Sequence, residues 1–195
     1  MLNIKPGNFF KMKKILAISG STRKDSTNRY LIKAIAEIMK ERFIIVPYEK
    51  ISQIPHFNPD RIDDGGCEVN DFRKLIRQSD AILICTPEYA HGVPGSLKNA
   101  IDWTVGTSDF SGKIVMLITA SSDGKFGHFS LLETLRVIEA IVPPDIQLQI
   151  PFAKARIHQD GVITDSQTMA DVKVALNKLY SMVSEGYAKN NNPNL

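Results

Sequence analysis

The chain has 195 residues, of which 43% are hydrophobic and 23% are charged. This length and balance are typical of one globular domain with a sizeable core. The net charge of +3 is too small to indicate binding of nucleic acid. Because no apolar stretch approaches the roughly 20 residues of a membrane helix, we expect neither nucleic acid nor a membrane as a partner.

The first half of the chain alternates strand and helix patterns. The continuously apolar run KILAIS predicts a strand over 14–19, of the kind that a parallel sheet buries on both faces. Ser26 is the predicted N-cap of a first helix, which continues with apolar residues at helical spacing. A second strand is predicted over 43–48, where Pro47 indicates an early end or an edge position. Residues 49–68 are rich in Pro, Asn, Asp and Gly, which predicts a loop.

The second half continues the alternation, with a loop over 121–127 before the fourth helix. In chain order we predict a helix over 69–79, a strand over 81–85, a helix over 97–105, a strand over 114–119, a helix over 131–138, a strand over 146–150 and a helix over 169–183.

Five strands that alternate with five helices predict an α/β fold, a three-layer sandwich in which helices cover both faces of a parallel sheet. In open sheets of this kind, ligands bind beyond the carboxyl ends of the strands. The residues with unusual chemistry follow the first, third and fourth strands, so we expect the functional site at that edge.

The two cysteines give an expectation about the compartment. Cys67 lies in a predicted loop and Cys85 in a predicted strand, so we expect no disulfide framework and a reducing environment. No apolar core of signal-peptide length follows the first residue, and we expect a cytoplasmic protein. We predict one domain over 13–189, between an N-terminal tail, 1–12, and a disordered tail, 190–195. Met12 could serve as an alternative start.

The first candidate loop, SGSTRKDSTN, joins the first strand to the first helix. A helix N-terminus carries partial positive charge and unpaired N–H groups, so this loop suits a phosphate. Arg23 can add a charge-assisted contact. The alternative is a capped helix with a polar turn, and neither GxxxxGK[ST] nor GxGxxG occurs. The candidate residues here are Ser19, Ser21, Arg23, Ser26, Thr27 and Asn28.

The second candidate loop follows the third strand and contains two prolines and two glycines between residues 87 and 95. Such a stiff loop presents backbone N–H and C=O groups at fixed positions, as a flat heterocycle requires. Tyr89 and Trp103 are open to two interpretations, packing or an interface. His91 is either an acid–base group or an ordinary surface histidine.

These residues carry a resemblance to a known family. The sequence PEYxxGxPGxLKNAIDW, over 87–103, resembles the signature of the NADPH-dependent FMN reductase family, which has the flavodoxin-like fold. SGSTRxxSxN resembles the phosphate loop of that family, and SDGKFG followed by LLETLR resembles its third flavin loop and helix. The resemblance covers roughly residues 14–140 and implies the strand order 2-1-3-4-5.

The resemblance implies a bound FMN and its contacts. Ala90 and Gly92 stand where the family often has asparagine and serine, and His128 stands where a second glycine is common. Side-chain bonds from the first two positions are therefore in question, whereas backbone contacts are less affected. The implied contacts are Ser21, Arg23, Ser26 and Asn28 for the phosphate, Pro87, Glu88, Tyr89, Ala90, His91 and Gly92 along the flavin ring, and Ser122, Gly124 and Gly127 at its other edge.

The resemblance also implies the activity. NADPH or NADH would reduce the bound FMN and leave, and a flavin, quinone, azo compound or metal oxyanion would then take the electrons in a ping-pong cycle. We predict no catalytic side chain, because the cofactor carries the chemistry, and no metal site, because the four histidines are dispersed.

Two other functions remain open at this point. One is a flavodoxin-like electron carrier without enzymatic activity, and the other is an FMN-free phosphate-binding module. Members of the family usually form dimers with the flavin sites close to the interface. The resemblance therefore implies a homodimer, or a tetramer built from dimers.

Overall fold

The computed structural model describes residues 12–185 and contains one five-stranded parallel sheet in the order β2-β1-β3-β4-β5. The predicted fold class and strand order are confirmed. The strands are four to seven residues long, which is an ordinary length. They are β1 Lys13–Ser19, β2 Phe43–Tyr48, β3 Ala81–Thr86, β4 Ile114–Ala120 and β5 Gln147–Ile150.

The helices divide between the two faces of the sheet. The first helix and the last helix pack on one face, and the second, third and fourth helices pack on the other. The helices are α1 Thr27–Met39, α2 Cys67–Gln78, α3 Gly95–Asp102, α4 Lys125–Val137, the single turn α5 Ala153–Arg156 and α6 Ser166–Glu185.

The central strand β1 shows why the apolar runs lack polar alternation. Ile15 and Ala17 point into the core beneath α1 and α6, whereas Leu16 and Ile18 point into the core beneath α2, α3 and α4. Each of these side chains is fully buried because a helical layer covers each face.

The position of β1 also locates the crevice for a ligand. The chain leaves β1 toward its neighbour β2 and then returns to β3 on the other side of β1. The connections therefore diverge at the carboxyl ends of β1 and β3, which is the switch point at which open α/β sheets bind ligands.

Most predicted boundaries hold to within a few residues, and the differences have local causes. β2 extends through Pro47 to its predicted end, and it is an edge strand, where proline is tolerated. The predicted loop 49–68 contains two short 3₁₀ turns, and Cys67 is the first residue of α2. Val137 was predicted on an apolar helix face but is exposed at the end of α4.

Helix α4 begins earlier than predicted. The sequence indicated a loop through Gly127, but Gly124 ends that loop in a left-handed conformation, φ 95°, and α4 starts at the next residue. The short helix α5 was not predicted. The predicted tail residues 1–11 and 190–195 lie outside the described residues.

Trp103 is a packing residue. Its side chain is 1% exposed, and its indole nitrogen donates a hydrogen bond to the carbonyl of Pro55 at 2.8 Å. Its ring meets that of Phe57 edge to face, with the ring centres 5.2 Å apart. The interface interpretation of Trp103 is therefore wrong, because no surface of this side chain is left for a partner.

Candidate functional site

A cavity of about 730 Å³ lies at the carboxyl edge of the sheet, over the ends of β1, β3, β4 and β5. This volume is in the range of pockets that hold small molecules and cofactors. Nine of the predicted site residues line the cavity, and they come from all three predicted loops. They are Ser21, Arg23, Ser26, Thr27, Asn28, Pro87, Glu88, Tyr89 and Ser122.

The loop after β1 is held by its own serines. The hydroxyl of Ser19 accepts a hydrogen bond from the backbone N–H of Ser21, and the hydroxyl of Ser21 accepts one from the backbone N–H of Arg23, both at 3.3 Å. Ser26 caps α1 as predicted, with its hydroxyl accepting from the N–H of Asn28. The positive end of a 13-residue helix therefore faces the cavity.

Asn28 contributes an unsatisfied polar atom to the cavity wall. Its side chain is 3% exposed, and its amide nitrogen donates to the carbonyl of Ala120 at the end of β4, at 3.1 Å. Its buried amide oxygen has no hydrogen-bond partner among the described residues. Buried acceptors are nearly always paired, so this unpaired oxygen is an unusual feature of the residue that connects α1 to β4 beside the cavity.

The loop after β3 contains a strained turn. Tyr89 and Gly92 exchange two backbone hydrogen bonds, at 3.1 and 2.9 Å. Between them Ala90 and His91 both have positive φ, 47° and 59°, which is the geometry of a type I′ turn. Alanine rarely adopts this conformation, whereas asparagine tolerates it. The turn thus gives a physical reason why asparagine would suit position 90.

Glu88 connects this loop to the start of α4. Its backbone N–H donates to the hydroxyl of Ser121 at 3.2 Å, and its carboxylate accepts the N–H of Gly127. The negative charge also lies at the N-terminus of α4, where it is favourable. The Glu88 carboxylate is thus already engaged, and its role here is to hold two loops together.

The remaining predicted residues support the cavity from outside it. Ser19 lies buried beneath the first loop, and Ala90, His91 and Gly92 form the tight turn. Gly124 and Gly127 belong to the start of α4. His91 stacks on Phe126, with ring centres 4.5 Å apart, so the imidazole packs against the first turn of α4.

One wall of the cavity was missed by the sequence reasoning. Residues 152–159 run across the cavity from the end of β5 and contribute Phe152, Lys154 and His158 to its lining. Backbone hydrogen bonds from Phe152 to Ser122 and from Ala153 to Ser121, both 3.1 Å, fix this wall. The available signal was positional, since the segment follows the fifth strand at the ligand-binding edge.

A buried histidine lies behind the third loop. His128, at the start of α4, places its Nδ1 atom 2.9 Å from the hydroxyl of Thr119 on β4. Burial lowers the pKa of His128, and a hydrogen bond with Gln147 opposes part of that shift. The imidazole is therefore neutral at neutral pH and serves packing between α4 and the sheet.

Two general properties of the described chain complete the description of the site. No cluster of three or more His, Cys, Asp or Glu side chains that could hold a metal ion occurs within residues 12–185. None of the helices in that range is long and apolar enough to cross a membrane.

The cavity offers different chemistry at its two ends. Hydroxyls, Arg23 and the N-terminus of α1 suit a phosphate at one end, whereas Pro87, Tyr89 and Phe152 offer flat apolar surface elsewhere. This fold and this cavity define a flavodoxin-like protein with a site suited to FMN.

Comparisons with known proteins identify the family more closely. The family model of NADPH-dependent FMN reductase matches residues 13–155. The chain is 30% identical to an NADH-dependent flavin reductase subunit 2 of Lactobacillus johnsonii, over 88% of this chain and 98% of that protein. It is 31% identical to an NAD(P)H:quinone oxidoreductase of Solanum tuberosum, over 87% and 92% of the two chains.

A comparison with a solved structure agrees with this family assignment. The flavoenzyme NAD(P)H:(acceptor) oxidoreductase of Paracoccus denitrificans superimposes with a TM-score of 0.78 at 25% identity, covering 89% of this chain and 98% of that one. The chain therefore belongs to the NADPH-dependent FMN reductase family, and it is an oxidoreductase.

Proposed function

We propose that the 730 Å³ cavity holds FMN and that the protein uses it to transfer electrons from NADPH or NADH to a quinone or a free flavin. The observation that carries this proposal is a cavity at the switch point of the sheet whose lining includes Ser21, Arg23 and Ser26 at the N-terminus of α1. The relatives described above act as flavin and quinone reductases by name, which supports the same class of acceptor.

The loop after β1 would hold the phosphate. Arg23 is exposed at the cavity and can approach a phosphate oxygen, and the hydroxyls of Ser21 and Ser26 lie on the same side. The bonds among the serines pre-organise this loop before a ligand arrives. Pre-organisation raises affinity because less conformational entropy is lost on binding.

The flavin ring would lie against Pro87, Glu88 and Tyr89, with Ser122 at its far edge. Gly127 and the turn residues 90–92 would support it from behind the loop. Because the Glu88 carboxylate is bound to α4, Glu88 itself would contact the ring through its backbone. Backbone contacts to the ring do not depend on the side chain, so alanine at position 90 and glycine at position 92, where the family often has asparagine and serine, would leave them in place.

Bound FMN supplies the redox chemistry, since a flavin accepts a hydride and passes on one or two electrons. The chain itself binds and orients the reactants and limits the access of water. Half-exposed Tyr89 and exposed Phe152 border the cavity and offer flat surfaces for a nicotinamide or a planar acceptor. The opening of the cavity would admit the nucleotide and the electron acceptor in turn. Azo compounds and metal oxyanions are further acceptors that we include in the proposal.

We also propose a homodimer, or a tetramer built from dimers, in which the cavity lies near the interface. Its support is a set of exposed aromatic side chains, Tyr89 and Phe152 at the cavity and Phe126 and Phe129 in the first turns of α4. Exposed aromatic groups of this kind mark contact surfaces. A cytoplasmic location is consistent with Cys67 and Cys85, both free thiols in the described chain.

The test uses purified protein without added flavin. A flavin absorbance spectrum, or one that appears on titration with FMN, is expected, followed by oxidation of NADPH or NADH when a benzoquinone is added. Absence of FMN binding would remove the proposed site. A protein that binds FMN but consumes neither nucleotide would instead be the electron carrier considered above.

A further inference from the structure

The charged side chains that line the cavity at the carboxyl edge of the sheet fall into two groups. Apart from the tyrosines, its ionisable lining residues are Arg23, Asp25, Glu88, Lys154 and His158. Three of these have partners within the protein. The Glu88 carboxylate accepts the N–H of Gly127, and Asp25 accepts the hydroxyl of Tyr30 at 3.3 Å. His158 pairs with the aspartate two residues further along, at 3.1 Å.

The other two lining residues are cations that lack such a partner. Within residues 12–185, neither Arg23 nor Lys154 forms an ion pair, and both side chains are exposed. The charges of the lining that remain without a protein partner are therefore both positive. A phosphate monoester carries about −1.5 to −2 charges at neutral pH, so the two cations together match one such group.

The backbone places Lys154 close to the loop after β1. The start of α1 and the start of α5 are attached to consecutive residues at the end of β4. The Asn28 amide donates to the carbonyl of Ala120 at 3.1 Å. The backbone N–H of Ala153 donates to the carbonyl of Ser121, also at 3.1 Å. Because consecutive Cα atoms are about 3.8 Å apart, these two bonds bring Lys154 to the end of the cavity at which α1 begins.

The segment that carries Lys154 is held in place on its other side as well. Beyond α5 the chain forms a hairpin, in which Ile157 pairs with Ile163. The hairpin lies against α1, since a Cβ atom added at Gly161 would be 3.1 Å from Cδ of Lys33. The backbone of the cation is therefore positioned before a ligand arrives, which reduces the conformational entropy lost on binding.

We propose that Lys154 is a second cation for the phosphate of FMN and acts together with Arg23. This assignment rests on the proposed FMN site. The Lys154 ammonium would donate to a phosphate oxygen from the side of α5, while the Arg23 guanidinium would donate from the loop after β1. Lys154 follows the fifth strand and belongs to none of the three loops that the sequence indicated, so only the fold brings the two cations to one cavity.

The experiment compares FMN with riboflavin, which has the same ring and ribityl chain but no phosphate. The full chain, freed of bound flavin, is titrated with each ligand, and quenching of flavin fluorescence gives the affinity. Lys154→Gln should weaken the binding of FMN roughly fivefold, the upper end for one exposed charge pair. Its affinity for riboflavin should be unchanged. Lys154→Arg keeps the charge and should retain most of the affinity for FMN.

The matched control is Lys24→Gln. Lys24 is an exposed lysine that directly follows Arg23 in the loop after β1, but it does not line the cavity. The variant removes the same charge from the same region of the surface, and it should leave the affinities for both flavins unchanged.

Ionic strength gives a second readout. Salt screens attraction between charges, so it should weaken the binding of FMN to the wild type more than to Lys154→Gln. The affinity for riboflavin should not depend on salt in either protein, because riboflavin has no phosphate.

Three results would contradict the proposal in different ways. If Lys154→Gln loses affinity for FMN and riboflavin equally, the lysine shapes the cavity wall and does not bind the phosphate. If Arg23→Ala weakens the binding of FMN and Lys154→Gln does not, the proposal is overturned while the FMN site stands. A wild type that binds neither flavin would remove the proposed FMN site itself, and this proposal with it.

Discussion

Among single residues, Asn28 belongs both to the packing of the fold and to the lining of the candidate site. Its amide nitrogen connects α1 to the end of β4, the residue lines the cavity, and its buried amide oxygen has no partner within residues 12–185. The neighbouring Arg23 and the turn residue Ala90 provide two direct tests of the same site.

Arg23→Ala should weaken the binding of FMN by about 1.5–3 kcal/mol, the range for a hydrogen bond to a charged group. The fold should survive, because Arg23 lies exposed in a loop. Titration of the protein with FMN, followed by quenching of flavin fluorescence, measures the change. Arg136→Ala is the control, because Arg136 lies in the last turn of α4, whereas the first turn of α4 borders the site. Equal FMN affinities for Arg23→Ala and Arg136→Ala would show that Arg23 does not contact the phosphate.

Ala90→Asn should stabilise the protein by roughly 0.5–1 kcal/mol, because asparagine tolerates the left-handed conformation that alanine is forced to adopt here. Denaturant unfolding measures this free energy. Ala36→Asn in the middle of α1 provides the contrast, since it should destabilise by about 0.5 kcal/mol through lower helix propensity. A loss of stability at position 90 would contradict the strained turn.

At the scale of elements, the site depends on how closely α4 approaches the loop after β3. The backbone N–H of Glu88 donates to the hydroxyl of Ser121, and its carboxylate accepts the backbone N–H of Gly127. The glycine allows the helix to come this near. A Cβ atom added at Gly127 would lie 3.0 Å from Cγ of Glu88 and 3.1 Å from the carbonyl oxygen of Gly92. The spacing between these elements therefore determines where the flavin loop lies.

Gly127→Ala should affect binding and stability differently. Alanine favours the helix by about 1 kcal/mol, while overpacking against the loop costs about 1–3 kcal/mol. We therefore expect a small loss of stability and a clear loss of FMN affinity, because the loop must move. Gly95→Ala is the control, since nothing lies within 4 Å of its added Cβ. Unchanged FMN affinity in Gly127→Ala would show that the loop position does not matter.

At the scale of the whole molecule, the stability should depend on pH through His128. Burial lowers the pKa of this imidazole in the folded state, whereas the unfolded chain has the ordinary value of about 6.5. Above that pH both states are neutral and the full stability is present. As the pH falls below it, the unfolded state takes up a proton first, so stability is lost until the folded pKa is reached.

The measurement is the free energy of unfolding of the wild type and of His128→Gln between neutral and mildly acidic pH. The variant should lack the part of the slope that His128 causes, although it will be less stable overall. His56→Gln removes an exposed histidine and should keep the wild-type slope. Identical slopes for the wild type and His128→Gln would mean that the buried imidazole does not titrate abnormally.

The proposed dimer is also tested at this scale. Light scattering of the FMN-bound protein at micromolar concentration should give a mass of at least twice 21.7 kDa. Phe129→Lys places a charge at an exposed aromatic position of α4 and should shift the mass toward the monomer. Val174→Lys, at an exposed apolar position on α6, should leave the mass unchanged. A wild-type mass of 21.7 kDa would exclude the dimer.

The sequence alone determined the fold class, because hydrophobic periodicity is local. Runs such as KILAIS are apolar without interruption since both faces of the sheet are covered, and the helix cap at Ser26 was visible as a local signal. The three loops could also be found from the sequence, since each follows a strand and contains residues with a specific backbone or charge requirement.

The tertiary structure decided what depends on contacts between distant residues. Only the packing shows that the Glu88 carboxylate binds Gly127, that Trp103 is buried against Pro55, and that residues 152–159 form a wall of the cavity. The buried, unpaired oxygen of Asn28 was invisible for the same reason. Whether a polar atom is satisfied depends on neighbours that the sequence separates and the fold brings together.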